Sequence, residues 1–212
     1  MTTVTDPTPL FRRQLLTAAA ALIAAPAFIR RARAQEARRL TPSQTEGPFY
    51  PVELPADSDN DLLVQGSTRY TQGQPAWVEG TVTDRAGWPL HDAVVEIWQC
   101  DQQGRYHHPG DGGRADPAFQ GFGRASVGSN GEYRFRTIKP AKYSGRTPHI
   151  HVKVKLAKRE LLTTQFYVAG DPNNERDFLW RSLSAADRDA LTAAFQPDAD
   201  GLRARFPIVV AA

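Results

Sequence analysis

Two histidines stand one residue apart in the stretch RTPHIHVKV, residues 146 to 154. Side chains alternate between the two faces of a β-strand, so His149, His151 and Lys153 would share one face and the apolar residues between them the other. Neutral imidazoles at positions i and i+2 can both reach one metal ion. The pair alone fits equally well with two solvated histidines on a polar strand face.

Tyrosines and an arginine accompany this pair. Tyr143 and Arg146 precede it directly, and Tyr106 lies in the segment RYHH, residues 105 to 108, which opens a Gly-rich loop. Two tyrosinates, as hard and strongly donating anions, stabilise Fe(III), whereas imidazoles with carboxylate or thiolate suit Fe(II), Zn or Cu. The presence of these tyrosines and of Arg146 near the histidine pair favours a metal site over a solvated surface. A zinc hydrolase is the weaker alternative, because no third histidine, cysteine or carboxylate stands at a spacing that would complete its site.

About five or six strands must position these residues. Apolar and polar residues alternate in a way that predicts strands at residues 76–84, 93–101, 122–127, 131–140, 149–156 and 163–170. The first two, joined by the turn RAGWPL, are expected to form a β-hairpin. No helical pattern of crossover length separates the strands, which argues against a parallel α/β sheet. The sequence predicts an all-β fold, a β-sandwich with long functional loops.

The ends of the mature chain differ from this strand-rich part. Residues 35–75 are rich in Pro, Asp, Gln and Ser, which predicts an extended N-terminal arm lying over the domain formed by residues 76–212. One short C-terminal helix is expected in SAADRDALTAAF, residues 184 to 195, because Ser184 is a suitable N-cap with Asp187 three residues later.

Residues 12 to 34 read RRQLLTAAAALIAAPAFIRRARA. An arginine pair before an apolar run, followed by small residues up to Ala34, predicts a twin-arginine export signal over residues 1–34. A transmembrane anchor is the alternative, but the apolar run contains Pro26 and is shorter than the roughly 20 residues that a spanning helix needs. We therefore expect a cleaved signal, a periplasmic or extracellular location, and no stable membrane anchor after cleavage.

Charge and cysteine content narrow the possible partners. The chain carries 26 Lys and Arg against 23 Asp and Glu, and its pI is about 9.2. Cleavage after Ala34 would remove five arginines and one aspartate, so the mature protein is near neutral and nucleic acid is not expected as a partner. Cys100, the single cysteine, cannot form an internal disulfide and is interpreted as a small buried apolar residue. Homo-oligomerisation is left open.

Several longer stretches have distinctive sequences: IWQCDQQGRY, which ends at Tyr106, YRFRTIKPAKY, which ends at Tyr143, and RTPHIH. TEGPFYP, at residues 45 to 51, and TQFYVAGDP, after the histidine strand, extend the pattern over roughly residues 44 to 175. In their order along the chain and in their local sequence, these stretches resemble the signature of the intradiol ring-cleavage dioxygenases. This family contains the protocatechuate, catechol and hydroxyquinol dioxygenases.

The resemblance implies a mononuclear, non-haem Fe(III) cofactor. Matched motif by motif, its protein ligands would be Tyr106, Tyr143, His149 and His151. His107 and His108 are interpreted as loop residues, since a fifth protein ligand would obstruct chelation by the substrate.

The resemblance also implies the reaction and its partners, a small aromatic diol and O2. A catechol would chelate the iron as a dianion while Tyr143 leaves and accepts a proton, Arg146 would stabilise negative charge on the activated ring, and Gln165 matches a residue of the pocket. Both oxygen atoms would enter the substrate, and cleavage between the two hydroxylated carbons would give a cis,cis-muconate-type diacid. The substrate pocket would be walled by three residues of the arm: Gly47, Pro48 and Tyr50.

Some interpretations stay open. The linker SGRTP between Tyr143 and His149 is short, and the N-terminal helical region of catechol and hydroxyquinol dioxygenases is absent from the pattern, so the likeness is to the catalytic core of the protocatechuate type. A non-catalytic transthyretin-like β-sandwich binding module is the alternative function. His91 is interpreted as a structural turn residue, and Asp111 and Asp116 as solvated turn formers.

Overall fold

The computed structural model describes residues 37–212. The predicted export signal, residues 1–34, therefore lies outside the described residues. Among residues 37–212, no helix is both long enough and apolar enough to cross a bilayer.

A small hairpin, with strands of two residues each, and a five-stranded sheet form the first half of the fold. The hairpin pairs β1 (Val64–Gln65) with β2 (Thr68–Arg69). The strands of the first sheet are β3 (Pro75–Asp84), β6 (Glu132–Ile138), β10 (Gln196–Asp198), β11 (Gly201–Arg205) and β12 (Ile208–Val210). Central β3 pairs antiparallel with β6 on one side, and parallel with β11 and then β12 along the other. β10 pairs antiparallel with β11.

A second five-stranded sheet carries the two histidines. Its strands, in spatial order, are β5 (Phe122–Ser126), β4 (Ala93–Trp98), β7 (His149–Leu156), β8 (Arg159–Val168) and β9 (Thr192–Ala193). All neighbours are antiparallel except β8 and β9.

The core lies between the two sheets. In β6, Tyr133 and Phe135 are buried while Glu132 and Arg134 are exposed, as the alternation in the sequence predicts. Phe166 of the second sheet stacks on Phe206, with ring centroids 4.1 Å apart. Burying each such ring stabilises the fold by about 1.5–3 kcal/mol. The predicted all-β sandwich is confirmed.

The predicted hairpin of residues 76–84 and 93–101 is wrong, because β3 and β4 lie in different sheets. The chain does begin a tight turn, in which the Leu90 amide donates to the Val82 carbonyl. It then leaves the first sheet at Asp92, which adopts a φ of 67°. Local alternation specifies which face of a strand is apolar, but it does not specify which sheet the strand joins.

The C-terminal region contains more regular structure than the single expected helix. Two short helices are present, α1 (Phe178–Ser182) and α2 (Ala185–Leu191). Ser184 caps α2 as predicted, since its hydroxyl accepts a hydrogen bond from the Asp187 amide at 3.1 Å. The sequence pattern missed the strands β9 to β12, of which β9, β10 and β12 have only two or three residues, too few to show an alternation.

Part of the predicted arm is built into the core. Leu62, Leu63 and Tyr70 are buried with the residues of both sheets, although no periodic pattern marks them. Residues 41–50, in contrast, lie over the sandwich. The Thr41 amide donates to the Val209 carbonyl and the Gln44 amide to the Thr163 carbonyl, each at 2.9 Å, so the arm crosses from the first sheet to the second.

Candidate metal centre

The histidines lie on the outer face of the second sheet, not in its core. His151 is the cross-strand partner of both Trp98 on β4 and Gln165 on β8, so the three side chains form a row across one face. Trp98 stacks on His151 with ring centroids 4.8 Å apart. His149 and His151 are each only 1% exposed. The alternative of two solvated histidines is therefore wrong.

The arm covers this face. The side-chain nitrogen of Gln165, Nε2, donates a hydrogen bond to the Thr45 carbonyl at 3.0 Å. Gly47 has a φ of 72°, and a Cβ atom at this position would lie 3.2 Å from Cε1 of His151. Glycine therefore permits both the backbone conformation and the close approach of the arm to the imidazole.

The structure brings the four predicted ligands together, although they come from three separate segments. Nε2 of His149 lies 3.1 Å from Nε2 of His151. The Tyr106 and Tyr143 rings are 5.0 Å apart, and they lie 6.1 Å from the His151 ring and 5.6 Å from the His149 ring, respectively. Two phenols and two imidazoles thus surround one small volume.

Backbone hydrogen bonds to two aspartates shape the loop that presents Tyr106. The buried carboxylate of Asp101 accepts from the amides of Gln103, Arg105 and Asp116 at 2.8–2.9 Å. Asp111 accepts from the Tyr106 amide at 2.7 Å. Asp111 was expected to be only a solvated turn former, but it fixes the backbone of a candidate ligand.

The histidine environment favours neutral imidazoles. Burial and the nearby Arg146 guanidinium lower the pKa of His149 to about 4, and burial with the neighbouring His149 lowers the pKa of His151 well below its ordinary value. The Thr147 carbonyl lies 2.7 Å from Nδ1 of His149, which places the proton on Nδ1 and the lone pair on Nε2. Neutral imidazole is the form that binds metals.

These residues fit a metal ion. The buried Tyr106 Oη has no hydrogen-bond partner in the described part of the chain, and leaving such an atom unpaired costs about 1–3 kcal/mol. A metal bound to Tyr106 would satisfy its oxygen. The separation of the two Nε2 atoms suits one ion, because two bonds of about 2.1 Å at a right angle span about 3 Å.

The donor types select the metal. Residues 37–212 contain no cluster of three or more His, Cys, Asp or Glu suited to a metal, so the oxygen donors available here are phenolic. Two phenolates and two imidazoles suit Fe(III).

A fixed cation lies beside the candidate ligands. Arg146 Nε donates to Asp177 Oδ2 at 2.7 Å, and its Nη2 donates to Gln165 Oε1 at 2.8 Å. Asp177 also accepts from the Thr147 amide at 2.9 Å and, as N-cap of α1, from two amides of that helix. Asp177 was not among the predicted site residues, because a lone aspartate 31 residues from Arg146 in the chain gives no local signal.

Comparison with known proteins places the chain in a family. A family profile described as Dioxygenase matches residues 45–211. The protocatechuate 3,4-dioxygenase beta chain of Burkholderia cepacia is 35% identical over 71% of this chain and 69% of its own length. The chain belongs to the intradiol ring-cleavage dioxygenase family.

Other members of the family are similar at comparable levels. Hydroxyquinol 1,2-dioxygenase of Corynebacterium glutamicum is 32% identical over 73% of this chain and 54% of its own length. The dioxygenase domain of a dioxygenase carbohydrate-binding protein fusion from Streptomyces sp. SirexAA-E has a TM-score of 0.65 at 34% identity, covering 82% of this chain and 99% of that domain. The chain spans about half the length of the hydroxyquinol and catechol 1,2-dioxygenases that it matches.

The three predicted pocket residues of the arm lie in different surroundings. Gly47 contacts His151, and Pro48 beside it is exposed. The Tyr50 hydroxyl donates to Glu96 at 2.9 Å, and its ring packs edge-on against Trp98 at 5.0 Å. The structure therefore does not bring Tyr50 into the four-ligand cluster.

Phe49 is an arm residue that the sequence analysis missed. Its ring stacks on Tyr106 at 4.7 Å and packs edge-on against Tyr143 at 5.7 Å. Its only signal in the sequence was its place within the stretch TEGPFYP.

The remaining histidines, His91, His107 and His108, have local partners. His107 lies 3.1 Å from the Asp116 carbonyl, and His108 Nδ1 accepts from the Gly110 amide at 2.9 Å. Exposed His91 lies 2.8 Å from the Asp92 carboxylate. Buried Cys100 packs beside Tyr106, and burial raises its pKa to about 12.

Replacing Gly47 with alanine is expected to weaken iron binding and ring cleavage, since the new methyl group would displace the arm or the His151 imidazole. To relieve this 3.2 Å contact, the arm or the imidazole would have to move by a few tenths of an ångström. Because a shift of about 1 Å near a reacting centre can cost about a hundredfold in rate, we expect a smaller, several-fold loss. Gly170→Ala is the matched control, because Gly170 has the same φ of 72° and a Cβ atom there meets nothing within 4 Å. Iron content and kcat/KM should fall only in Gly47→Ala, and equal effects in both variants would contradict the contact with His151.

Proposed function

We propose that this protein is a mononuclear, non-haem Fe(III) intradiol dioxygenase. It inserts both atoms of O2 into a catechol-type ring and cleaves between the two hydroxylated carbons, giving a cis,cis-muconate-type diacid. The observation that carries this proposal is the convergence of two phenols on two buried, neutral imidazoles, with Tyr106 Oη lacking any partner in residues 37–212. A non-catalytic binding module has no need of such a set.

Tyr106, Tyr143, His149 and His151 would hold the iron. When bound, ferric iron supplies a Lewis acid that draws electron density from a chelated catecholate and opens its ring carbon to O2. Within the protein, the Thr147 carbonyl accepts a hydrogen bond from Nδ1 of His149 and so orients its ring. Trp98 fixes the plane of the His151 ring by stacking on it.

The two tyrosines have different surroundings, and this difference supports a different role for each. Tyr106 is 2% exposed and packed under Phe49, so its phenol remains in place. Tyr143 is partly exposed and borders an open cavity of about 470 Å³. Tyr143 would therefore be the iron ligand that is replaced when a substrate enters.

Tyr143 is also suited to accept a proton. Burial raises the pKa of its phenol, and the nearby Arg146 guanidinium opposes that rise. A phenol with a raised pKa is a strong base once its oxygen is released, so Tyr143 can take a proton from a catechol hydroxyl.

Arg146 supplies a fixed positive charge beside the substrate. Asp177 and Gln165 hold its Nε and Nη2, so the guanidinium plane cannot swing into solvent. A preorganised cation of this kind stabilises negative charge that develops on the ring. Gln165 thus acts by positioning Arg146, and by joining the arm to β8 through its bond to Thr45.

The iron-loaded protein is expected to be coloured by tyrosinate-to-iron charge transfer, and the band should move to longer wavelength when catechol is added without oxygen. Admission of oxygen should then yield the ring-opened diacid. In Tyr143→Phe the band should weaken but persist, because Tyr106 remains, and turnover should be lost. A wild-type protein that stays colourless after iron is supplied would favour the binding module.

A further inference from the structure

Residues 46–50 of the arm cover two of the four candidate ligands, and we refer to them as the cover segment. A Cβ atom on Gly47 would lie 3.2 Å from Cε1 of His151. The Phe49 ring stacks on Tyr106 with ring centroids 4.7 Å apart. Within residues 37–212, no hydrogen bond joins the backbone of the cover segment to the backbone of another segment. Side chains must therefore hold it in place.

At one end of the cover segment, the Glu46 carboxylate pairs with Nζ of Lys153. Lys153 lies on β7 two residues beyond His151, on the same face of the strand, and its side chain is only 6% exposed. Its Nζ also lies 3.2 Å from the Glu160 carboxylate and 4.1 Å from the centre of the Tyr50 ring. One buried lysine on the histidine strand thus contacts both ends of the cover segment.

At the other end, a buried carboxylate holds Tyr50. The Tyr50 hydroxyl donates to Glu96 at 2.9 Å, and Nζ of Lys155 donates to this hydroxyl at 3.0 Å and to Glu96 Oε1 at 3.1 Å. The side chain of Glu96 is fully buried. Burying an ion pair is costly, and apolar residues of similar volume often replace such a pair without loss of stability. The presence of this charge beside Tyr50 therefore points to a task other than stabilising the sheet.

Both holding points belong to the face of the second sheet that carries the histidines. Glu96 on β4 is the cross-strand partner of Lys153 on β7. Two residues along each strand, Trp98 is the cross-strand partner of His151 in the same way, and side chains two residues apart on a strand share a face. The cover segment is therefore fixed at both ends to the two strands that carry His151 and its stacking partner.

We propose that Glu46 and Tyr50 are positioning residues for the candidate metal centre. Held by Lys153 and Glu96, they fix both ends of the cover segment, so that its middle keeps one imidazole and one phenol in the geometry that binds iron. This inference rests on the proposed function. Tyr50 then acts on the site through the arm and not through contact with the substrate. Residues that orient metal ligands without binding the metal change affinity or activity by about 10–100-fold when they are replaced.

The test releases the two ends separately and together. Tyr50→Phe removes only the hydroxyl, and Glu46→Ala removes a carboxylate that is partly exposed, so both proteins should fold. The measured quantity is the rate at which the iron-loaded protein loses iron to an excess of a chelator. This rate should rise by about tenfold in the double variant. The rise should exceed the product of the two single effects, because each single variant leaves one end fixed.

A second measurement uses the iron-free protein. Hydrogen exchange of the backbone amides of residues 44–50 should be faster in the double variant than in the wild type, while β4 and β7 keep their wild-type rates. Because no iron is present, this exchange reports how firmly the arm is held on the sheet, independently of catalysis.

The matched control is Tyr133→Phe/Glu79→Ala, which removes the same two groups from the first sheet. The Tyr133 hydroxyl donates to the Phe206 carbonyl, and Glu79 pairs with Arg203, each at 2.6 Å. The control should lose iron at the wild-type rate. Unchanged iron loss in the cover-segment double variant, equal loss in the control, or faster exchange without faster iron loss overturns the inference while the wild type still binds iron and cleaves catechol. Failure of the wild type to bind iron or to cleave catechol overturns the proposed function as well.

Discussion

Replacing Tyr106 with phenylalanine should abolish ring cleavage without destabilising the iron-free protein. The hydroxyl is buried and has no partner among the described residues, and burial raises its pKa well above the ordinary value. In the absence of metal it therefore contributes only the cost of an unpaired polar group, about 1–3 kcal/mol. Its removal should leave the free energy of unfolding equal to that of the wild type, or higher.

The effect on the loaded enzyme has the opposite sign. Loss of a residue that merely orients a metal ligand costs about 10–100-fold in affinity or activity, so loss of a ligand should cost more than about a hundredfold. Iron content, the visible band and turnover measure this loss. Urea unfolding of the iron-free protein measures the stability. A clear loss of stability in Tyr106→Phe would mean that the hydroxyl has a structural role, and it would contradict the ligand assignment.

Tyr133→Phe is the control, because it removes the same hydroxyl group from a buried tyrosine outside the candidate site. Tyr133 is also buried, but its hydroxyl donates to the Phe206 carbonyl at 2.6 Å in the first sheet, away from the four ligands. Removal of this hydrogen bond should lower the free energy of unfolding by about 1 kcal/mol and leave iron content and turnover unchanged. The two substitutions remove the same atom and should have opposite effects on stability and activity.

Replacing Asp177 with alanine should produce the largest loss of stability among the substitutions considered. Its side chain is fully buried, and it pairs with Arg146, whose side chain is 11% exposed. It also accepts hydrogen bonds from the Thr147, Leu179 and Trp180 amides. Removing one partner of a buried ion pair costs about 3–5 kcal/mol, because the other charge is left without compensation. Urea unfolding should show this loss.

Catalysis should suffer separately from stability. In Asp177→Asn the side chain keeps its shape, but the charge that holds Arg146 is lost, so kcat should fall more than KM rises. Asp187→Ala is the control, because the Asp187 pair with Arg39 is at the surface and such pairs contribute about 0–1 kcal/mol. Unchanged kcat in Asp177→Asn would show that Arg146 is positioned by other contacts.

The pKa of Asp177 also determines the direction in which the stability of the protein should change with pH. Burial raises the pKa of its carboxyl, but the hydrogen bonds from Arg146 and from backbone amides outweigh this effect and hold the pKa below its usual value. A folded-state pKa below the unfolded value contributes stability at neutral pH that is lost as the pH falls through the folded pKa. The difference in stability between wild type and Asp177→Asn should therefore shrink in acid.

The sequence by itself determined the principal strands, the cap at Ser184 and the residue types of the candidate metal site. These features depend on local rules: side chains alternate along a strand, a serine hydroxyl reaches an amide three residues on, and phenols and imidazoles favour Fe(III) wherever they meet. The motifs around Tyr106, Tyr143 and the histidine strand also pointed to the family that the comparisons identify.

Only the tertiary structure decided how these parts are assembled. The polar face of the histidine strand is buried because the arm, about 100 residues earlier in the chain, crosses it through Thr45 and Gly47. β3 and β4 separate into different sheets, and Asp177 reaches Arg146 from beyond β8. Local alternation gives no information on these contacts, because they join distant segments and depend on the packing of the whole domain.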